Sequence, residues 1–257
     1  MTAADRAAQL RRLHDAPEPL ILVNVWDVAS ARVVADLPGC SALATASHPI
    51  AAAYGYQDGE QIPLDLVIDA VSRITAAVDL PVSADLEAGY GDPETTVRRA
   101  IGAGAVGGNL EDAMRPLDEA VAAVEAAVRA GEAEGVPFVL NARTDVFIAP
   151  GDRGTDEIVA EAVRRGRAFL DAGAACVFVP ARLDAETAGR LVEGIGLRKV
   201  SVIAVPGSAS AAEFAAVGVA RISFGPWPQR VALTALADVA VELLAGAPLP
   251  AGVRLLV

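Results

Sequence analysis

The chain predicts an α/β fold, a (β/α)₈ TIM-type barrel formed as a single domain over residues 1–257. Three observations point there. Short apolar runs of strand length alternate with Ala-rich amphipathic stretches along the whole sequence. The joints from helix to strand repeat one another, as in Gly102-Ala103-Gly104-Ala105-Val106, Asp171-Ala172-Gly173-Ala174-Ala175 and Val217-Gly218-Val219-Ala220. Each carries a Gly where a helix must stop and a strand begin. The length of 257 residues is also what eight βα units need. A doubly wound sheet built from the same units is the competing architecture.

In chain order the strands are expected at Leu20–Val25, Cys40–Thr45, Val82–Leu86, Gly107–Leu110, Phe138–Asn141, Ala175–Val179, Val200–Val205 and Arg221–Phe224. Helical periodicity marks Leu64–Val78, Pro116–Ala130 and Asp156–Ala172, and an earlier helix ends at Leu37-Pro38-Gly39. No composition shift or Pro/Ser-rich linker divides the chain.

The composition is 53% hydrophobic but only 4% aromatic, which suits close-packed helices on a parallel sheet. A net charge of −12, with no basic stripe, argues against a nucleic-acid partner. An anionic small substrate stays compatible, because local Arg residues or a metal override the global field. The N-terminus is too polar for a signal peptide, and no apolar run is long enough to span a membrane. Cys40 and Cys176 read as packed thiols rather than a disulfide, and the simplest location is cytoplasmic. His14 is expected on the surface.

In a barrel, function collects where strands end and βα loops begin. Those places are polar here: Asn24, Trp26 and Asp27; Thr45, Ser47 and His48; Asp85 and Glu87; Asn109, Glu111 and Asp112; Asn141, Arg143 and Asp145. Alternate residues of a strand face the same way, so Asp85 and Glu87 are expected to point together. Hard oxygen donors beside the flexible Gly89-Tyr90-Gly91 turn suit Mg²⁺, directly or through its waters. The back half offers Pro180, Pro206-Gly207 and Gly225-Pro226, which shape loops without obvious chemistry.

Several segments, taken in order, resemble the isocitrate lyase/phosphoenolpyruvate mutase superfamily. They are Ala44-Thr45-Ala46-Ser47-His48, Gly55-Tyr56-Gln57-Asp58-Gly59-Glu60, Ala84-Asp85-Leu86-Glu87-Ala88-Gly89-Tyr90-Gly91, Asn109-Leu110-Glu111-Asp112, Asn141-Ala142-Arg143-Thr144-Asp145 and Ile222-Ser223-Phe224-Gly225-Pro226. The resemblance implies a (β/α)₈ barrel that binds Mg²⁺, with Mn²⁺ as a substitute, and a 2-oxo acid or its enolate. It implies metal binding by Asp85, with Glu87 and Glu111 acting largely through water. Arg143 would pair with the substrate carboxylate, and the turn of Thr45, Ser47 and His48 would offer it backbone N–H groups. Asp58 would lie near the reacting end. A homo-oligomer, tetramer or dimer, is implied as well, often with the last helix exchanged between subunits.

Departures from the family pattern narrow the chemistry. The lyase branch carries a Lys-Lys/Arg-Cys-Gly-His loop after the fourth strand, whereas here Glu111-Asp112 runs through Ala113-Met114-Arg115 into a helix at Pro116. The mutase branch has a long gating loop at the same place and a lysine after the residue matching Asp58, and both are missing. Glu87 also stands where the best-known members carry Asp. The expected function is therefore a Mg²⁺-dependent enzyme that cleaves or hydrolyses a C–C bond in a small 2-oxo or 2-hydroxy acid. A phosphonopyruvate mutase or hydrolase and a catalytically weak 2-oxo acid binding protein are the alternatives. His48 is either a general acid or base or a loop histidine, Asp58 either catalytic or structural, and Tyr90 a packing residue. Phe147–Thr155, rich in Gly and Pro, is a candidate flap.

Overall fold

The computed structural model describes residues 1–256. After an N-terminal helix, α1 (Ala3–His14), come β1 (Leu20–Leu22), β2 (Asn24–Val25), α2 (Val28–Ala35), β3 (Leu43–Thr45), α3 (Ser47–Ala53) and α4 (Leu64–Ala76). The middle of the chain forms β4 (Val82–Asp85), α5 (Pro93–Gly102), β5 (Gly107–Glu111), α6 (Leu117–Ala133), β6 (Val139–Arg143) and α7 (Thr155–Asp171). The last third forms β7 (Cys176–Val179), α8 (Ala185–Ile195), β8 (Val200–Ile203), α9 (Ala211–Ala216), β9 (Arg221–Ser223) and α10 (Trp227–Leu244).

All strand pairings are parallel, in the order β1-β9-β8-β7-β6-β5-β4-β3-β2. The ends of that order are one extended stretch, Leu20 to Val25, interrupted at Val23. Its first half pairs with β9 and its second with β3, so the nine segments make eight staves around a ring. Strands in a closed barrel tilt and stagger, which puts the two neighbours of one strand at different heights. This is the expected TIM-type barrel, not a doubly wound sheet. Two strands run further than the sequence suggests, so Glu111 and Arg143 are the last residues of β5 and β6 rather than loop residues.

The predicted Gly joints take the left-handed conformation: φ is +95° at Gly104, +101° at Gly173 and +85° at Gly218. At Gly104 a Cβ would also lie 2.8 Å from Thr75 Oγ1, so any larger residue is excluded twice. The N-terminal end of the barrel is sealed by α1. Leu10 reaches in so closely that a Cβ on Gly107 would lie 2.7 Å from its Cδ2. His14, expected on the surface, is instead 2% exposed, with Nδ1 2.9 Å from the Leu10 carbonyl. Its helix turns that face into the barrel, an orientation set by packing.

Cys40 and Cys176 are both unpaired thiols. Among the described residues no helix is long and apolar enough to cross a membrane. The last helix differs from the rest: Val231, Leu233, Leu236, Val241 and Leu244 of α10 are exposed, and Gln229 is its one buried residue.

Candidate active site

The C-terminal ends of the strands converge on a cavity of about 270 Å³. Ser47, His48, Asp58, Asp85 and Arg143 line it from the front half of the chain. The back half contributes more than its sequence suggested: Phe178, Pro180, Ile203, Ser223, Pro226 and Arg230 complete the walls. Asn24 ties the mouth together. Its Nδ2 donates to the Thr45 carbonyl at 2.9 Å, and its Oδ1 accepts the N–H groups of Phe224 and Gly225 at 2.8 and 2.7 Å.

Asp85 is held from the neighbouring strand. Thr45 Oγ1 accepts the Asp85 N–H at 2.9 Å, and the Ser47 N–H donates to Asp85 Oδ2 at 2.9 Å. Thr45 is fully buried, and its hydroxyl positions Asp85. Ser47 likewise spends its N–H on Asp85 in this state. Asp85 Oδ1 is left without a protein donor among the described residues. His48 Nδ1 lies 3.8 Å from Asp58 Oδ2, with both side chains nearly half exposed on the cavity rim.

The geometric expectation for Glu87 does not hold, because β4 ends at Asp85 and strand alternation ends with it. Glu87 lies beyond the strand at φ +49°, and Tyr90 at φ +51°, a left-handed turn that redirects both side chains. Glu87 Oε2 accepts the Glu60 N–H at 2.5 Å and Oε1 accepts the Tyr90 hydroxyl at 2.8 Å, while Tyr90 N–H donates to Glu60 Oε1 at 2.6 Å. Tyr90 therefore does more than pack. Burial raises the Glu87 pKa, and these two hydrogen bonds offset only part of that.

Glu111 and Arg143 form a close pair, Oε2 to Nη1 at 2.7 Å, and Arg143 Nε donates to Asp145 Oδ1 at 2.6 Å. Burial pushes the Glu111 pKa up to about 8 against the pull of Arg143, and Asp145, Asp85 and Glu87 push it the same way. Asp145 is also raised, chiefly by burial. For Arg143 burial works against the charge, but Glu111, Asp145 and Asp85 outweigh it and raise its pKa.

Asp112 serves the scaffold. It is 2% exposed and accepts from Thr144 Oγ1, the Asp145 and Met114 N–H groups and Arg165 Nη1, at 2.8 to 3.0 Å. The connection after Glu111 is as short as expected. Ala113 and Met114 are both left-handed, and Arg115 Nη2 bonds the Glu111 carbonyl at 3.0 Å, which pins the turn in place.

Among the described residues no three His, Cys, Asp or Glu side chains converge tightly enough to bind a metal by themselves. The donor chemistry nevertheless fits Mg²⁺, which keeps several waters and takes few direct carboxylates. Asp85 offers a free oxygen. Glu87 and Glu111 are raised chiefly by burial, with a smaller contribution from nearby carboxylates, Asp85 among them for both, a repulsion that a cation would relieve. Thr45, Glu87 and Glu111 do not line the cavity itself. Asn109, Ser223 and Arg230 do, and none was singled out as a site residue from the sequence. A polar residue near a strand end was the available signal for Asn109 and Ser223. Arg230, in the first turn of α10 with its guanidinium 4.9 Å from the Trp227 ring, carried no such signal.

Residues 10–244 match the family described as Phosphoenolpyruvate phosphomutase. An uncharacterised protein of Mycobacterium tuberculosis is 32% identical over 244 residues, covering 94% of this chain and 91% of that one. A structure from Burkholderia cenocepacia J2315, classed provisionally as a phosphonomutase, is 40% identical with a TM-score of 0.86, covering 96% of this chain and all of that one. Oxaloacetate acetylhydrolase in complex with its product oxalate superposes with a TM-score of 0.86 at 26% identity, covering 97% and 91%.

Proposed function

Because the chain belongs to the phosphoenolpyruvate phosphomutase family, within the isocitrate lyase/phosphoenolpyruvate mutase superfamily, we propose that it is a Mg²⁺-dependent enzyme acting on a small 2-oxo or 2-hydroxy acid. It cleaves or hydrolyses a C–C bond through an enolate. The observation that supports this most is the placing of Asp85 and Arg143 on one cavity, with Glu87 and Glu111 immediately behind them.

In this reading Asp85 would hold Mg²⁺ with Glu87 and Glu111 supporting it through water, and the ion would supply Lewis-acid stabilisation of negative charge on the substrate. Arg143 already uses Nη1 and Nε on Glu111 and Asp145, which leaves Nη2 to meet the substrate carboxylate. Those two partners also fix its plane, so the guanidinium is oriented before the ligand arrives. Ser47 and His48 border the same region, and His48 with Asp58 can hold or move a proton at the rim. Arg230 has no ion pair among the described residues and is free to attract a second acidic group of the substrate.

A thermal-shift panel of pyruvate, oxaloacetate, 2-oxoglutarate and phosphonopyruvate, each with Mg²⁺ and with EDTA, tests the reading. A ligand at about 100 times its Kd adds roughly 2.7 kcal/mol of stability. A Mg²⁺-dependent shift with one acid, followed by turnover, supports the proposal. No such shift with any acid defeats it.

The pairing of His48 with Asp58 favours a second reading, phosphonopyruvate mutase or hydrolase chemistry with Asp58 as the key group. It requires phosphonopyruvate turnover that disappears in Asp58→Ala. The pinned turn after Glu111 favours a third, a binding protein that has lost catalysis, which requires tight ligand binding without turnover across the panel.

The exposed apolar side of α10 supports a homo-oligomer, a dimer or tetramer in which a second copy covers that helix. Sedimentation of the native chain as a monomer would remove that part of the proposal. A cytoplasmic location completes the reading.

A further inference from the structure

We propose that Asn109 is a substrate-binding residue and that the buried Arg221, in contact with no ligand, is the positioning residue that aims its amide into the cavity. The inference rests on the 2-oxo acid reading above and adds two residues to it.

Arg221 is 1% exposed inside the barrel and has no carboxylate partner among the described residues. Its Nη1 donates to Ser83 Oγ at 3.1 Å and its Nη2 to Asn109 Oδ1 at 3.3 Å. Asn141 Nδ2 donates to the same Asn109 oxygen at 2.8 Å and to Ser201 Oγ at 3.3 Å. These five side chains, from β4, β5, β6, β8 and β9, form a polar layer across the barrel interior.

A guanidinium has donors and no acceptor. Whichever end of the Asn109 amide faces Arg221 must therefore be its oxygen, and the amide cannot flip without setting N–H against N–H. The planar amide then directs Nδ2 away from Arg221. That nitrogen has no protein partner among the described residues, and Asn109 lines the cavity beside Asp85 and Arg143. The register agrees, since Asn109 is paired directly with Asp85 on β4 and with Asn141 on β6. Burial lowers the Arg221 pKa to about 10, so the charge that locks the amide persists at neutral pH.

A donor fixed in this way suits an oxygen that gains negative charge during reaction, because it needs no reorganisation when the charge appears. Burying an arginine without a counter-ion is costly. Its cost is understandable if the guanidinium determines which way a donor in the site points.

The test uses isothermal titration with oxalate in Mg²⁺, a planar dianion resembling the head of an enolpyruvate. Asn109→Ala should weaken oxalate roughly tenfold to a hundredfold, the range for a hydrogen bond to a charged group. Asn109→Asp, which replaces the donor with an anion, should abolish binding. Arg221→Met should weaken it roughly threefold or more in the native background and not at all on top of Asn109→Ala. Should Arg221→Met fail to fold, Arg221→Lys enters the same double-mutant cycle. Oxalate binding by Asn109→Ala within twofold of the native protein would overturn the Asn109 assignment. An equal loss from the Arg221 change in both backgrounds would make Arg221 a structural residue only. If the native protein binds no oxalate with Mg²⁺, the 2-oxo acid reading fails and takes the inference with it.

Discussion

Glu111 Oε2 lies 2.7 Å from Arg143 Nη1, yet burial and three neighbouring carboxylates still push the Glu111 pKa up to about 8. One guanidinium does not neutralise this corner of the barrel. Asp85, Glu87, Glu111 and Asp145 share it with Arg143, and a divalent cation is the simplest way to balance them.

Glu111→Gln keeps the shape of the side chain and removes its charge. It should weaken Mg²⁺ about tenfold to a hundredfold, the usual loss for a residue that acts on a metal through water. A MgCl₂ titration followed by thermal shift measures this, and an unchanged midpoint would remove Glu111 from the metal site.

Asp112→Ala should damage folding rather than binding alone. It strips the buried Arg165 of its 3.0 Å partner and leaves Thr144 without an acceptor. Uncompensated buried charge of this kind costs about 3–5 kcal/mol, readable by urea unfolding. A loss under about 1 kcal/mol would mean that Glu161, 2.8 Å from Arg165 Nε, suffices alone.

Tyr90→Phe deletes one hydroxyl and leaves Glu87 Oε1 without its donor. The expected destabilisation is about 1–3 kcal/mol, seen as a lower urea midpoint at unchanged slope. Because the same loop carries Glu87, Mg²⁺ affinity should fall in parallel. Separation of the two effects would show that the Tyr90 contact supports the fold alone.

His14 should make stability depend on acid. Burial, with Arg221 nearby, lowers its pKa from 6.5 to about 3. Between those values the unfolded chain binds a proton that the folded chain refuses, so stability rises with pH there and is lost as pH falls below about 6.5. The contribution is at most about 1.4 kcal/mol per pH unit. Urea unfolding at pH 7, 6 and 5 should show a shallower decline in His14→Gln, which cannot titrate. Parallel declines would place the titration elsewhere.

Much of the fold was legible along the chain. Gly104, Gly173 and Gly218 announced the ends of three helices because left-handed φ is cheap only without a Cβ. The parallel strands read as short apolar runs because helices cover one side of them and the barrel interior the other. The short turn from Glu111 to the next helix was visible as a simple count of residues. Other features were not. Nothing local says that Arg221 lies inside the barrel, or that Asn109 meets both it and Asn141, since those partners are 112 and 32 residues away. Nor does periodicity reveal a left-handed Glu87, because the turn is held by Glu60 from a different loop.

The sequence by itself determined the order and kind of elements, their joints and the acidic character of one rim. These depend on backbone preferences and on apolar spacing, both of which act over a few residues. The tertiary structure alone decided which carboxylates face the cavity and which are spent on neighbours. It also decided that His14 and Arg221 are buried, and that the back half supplies Ser223 and Arg230 to the site. Closing the ring brings strands distant in the chain to within hydrogen-bonding reach, and the direction of a polar side chain follows from those partners rather than from its own segment.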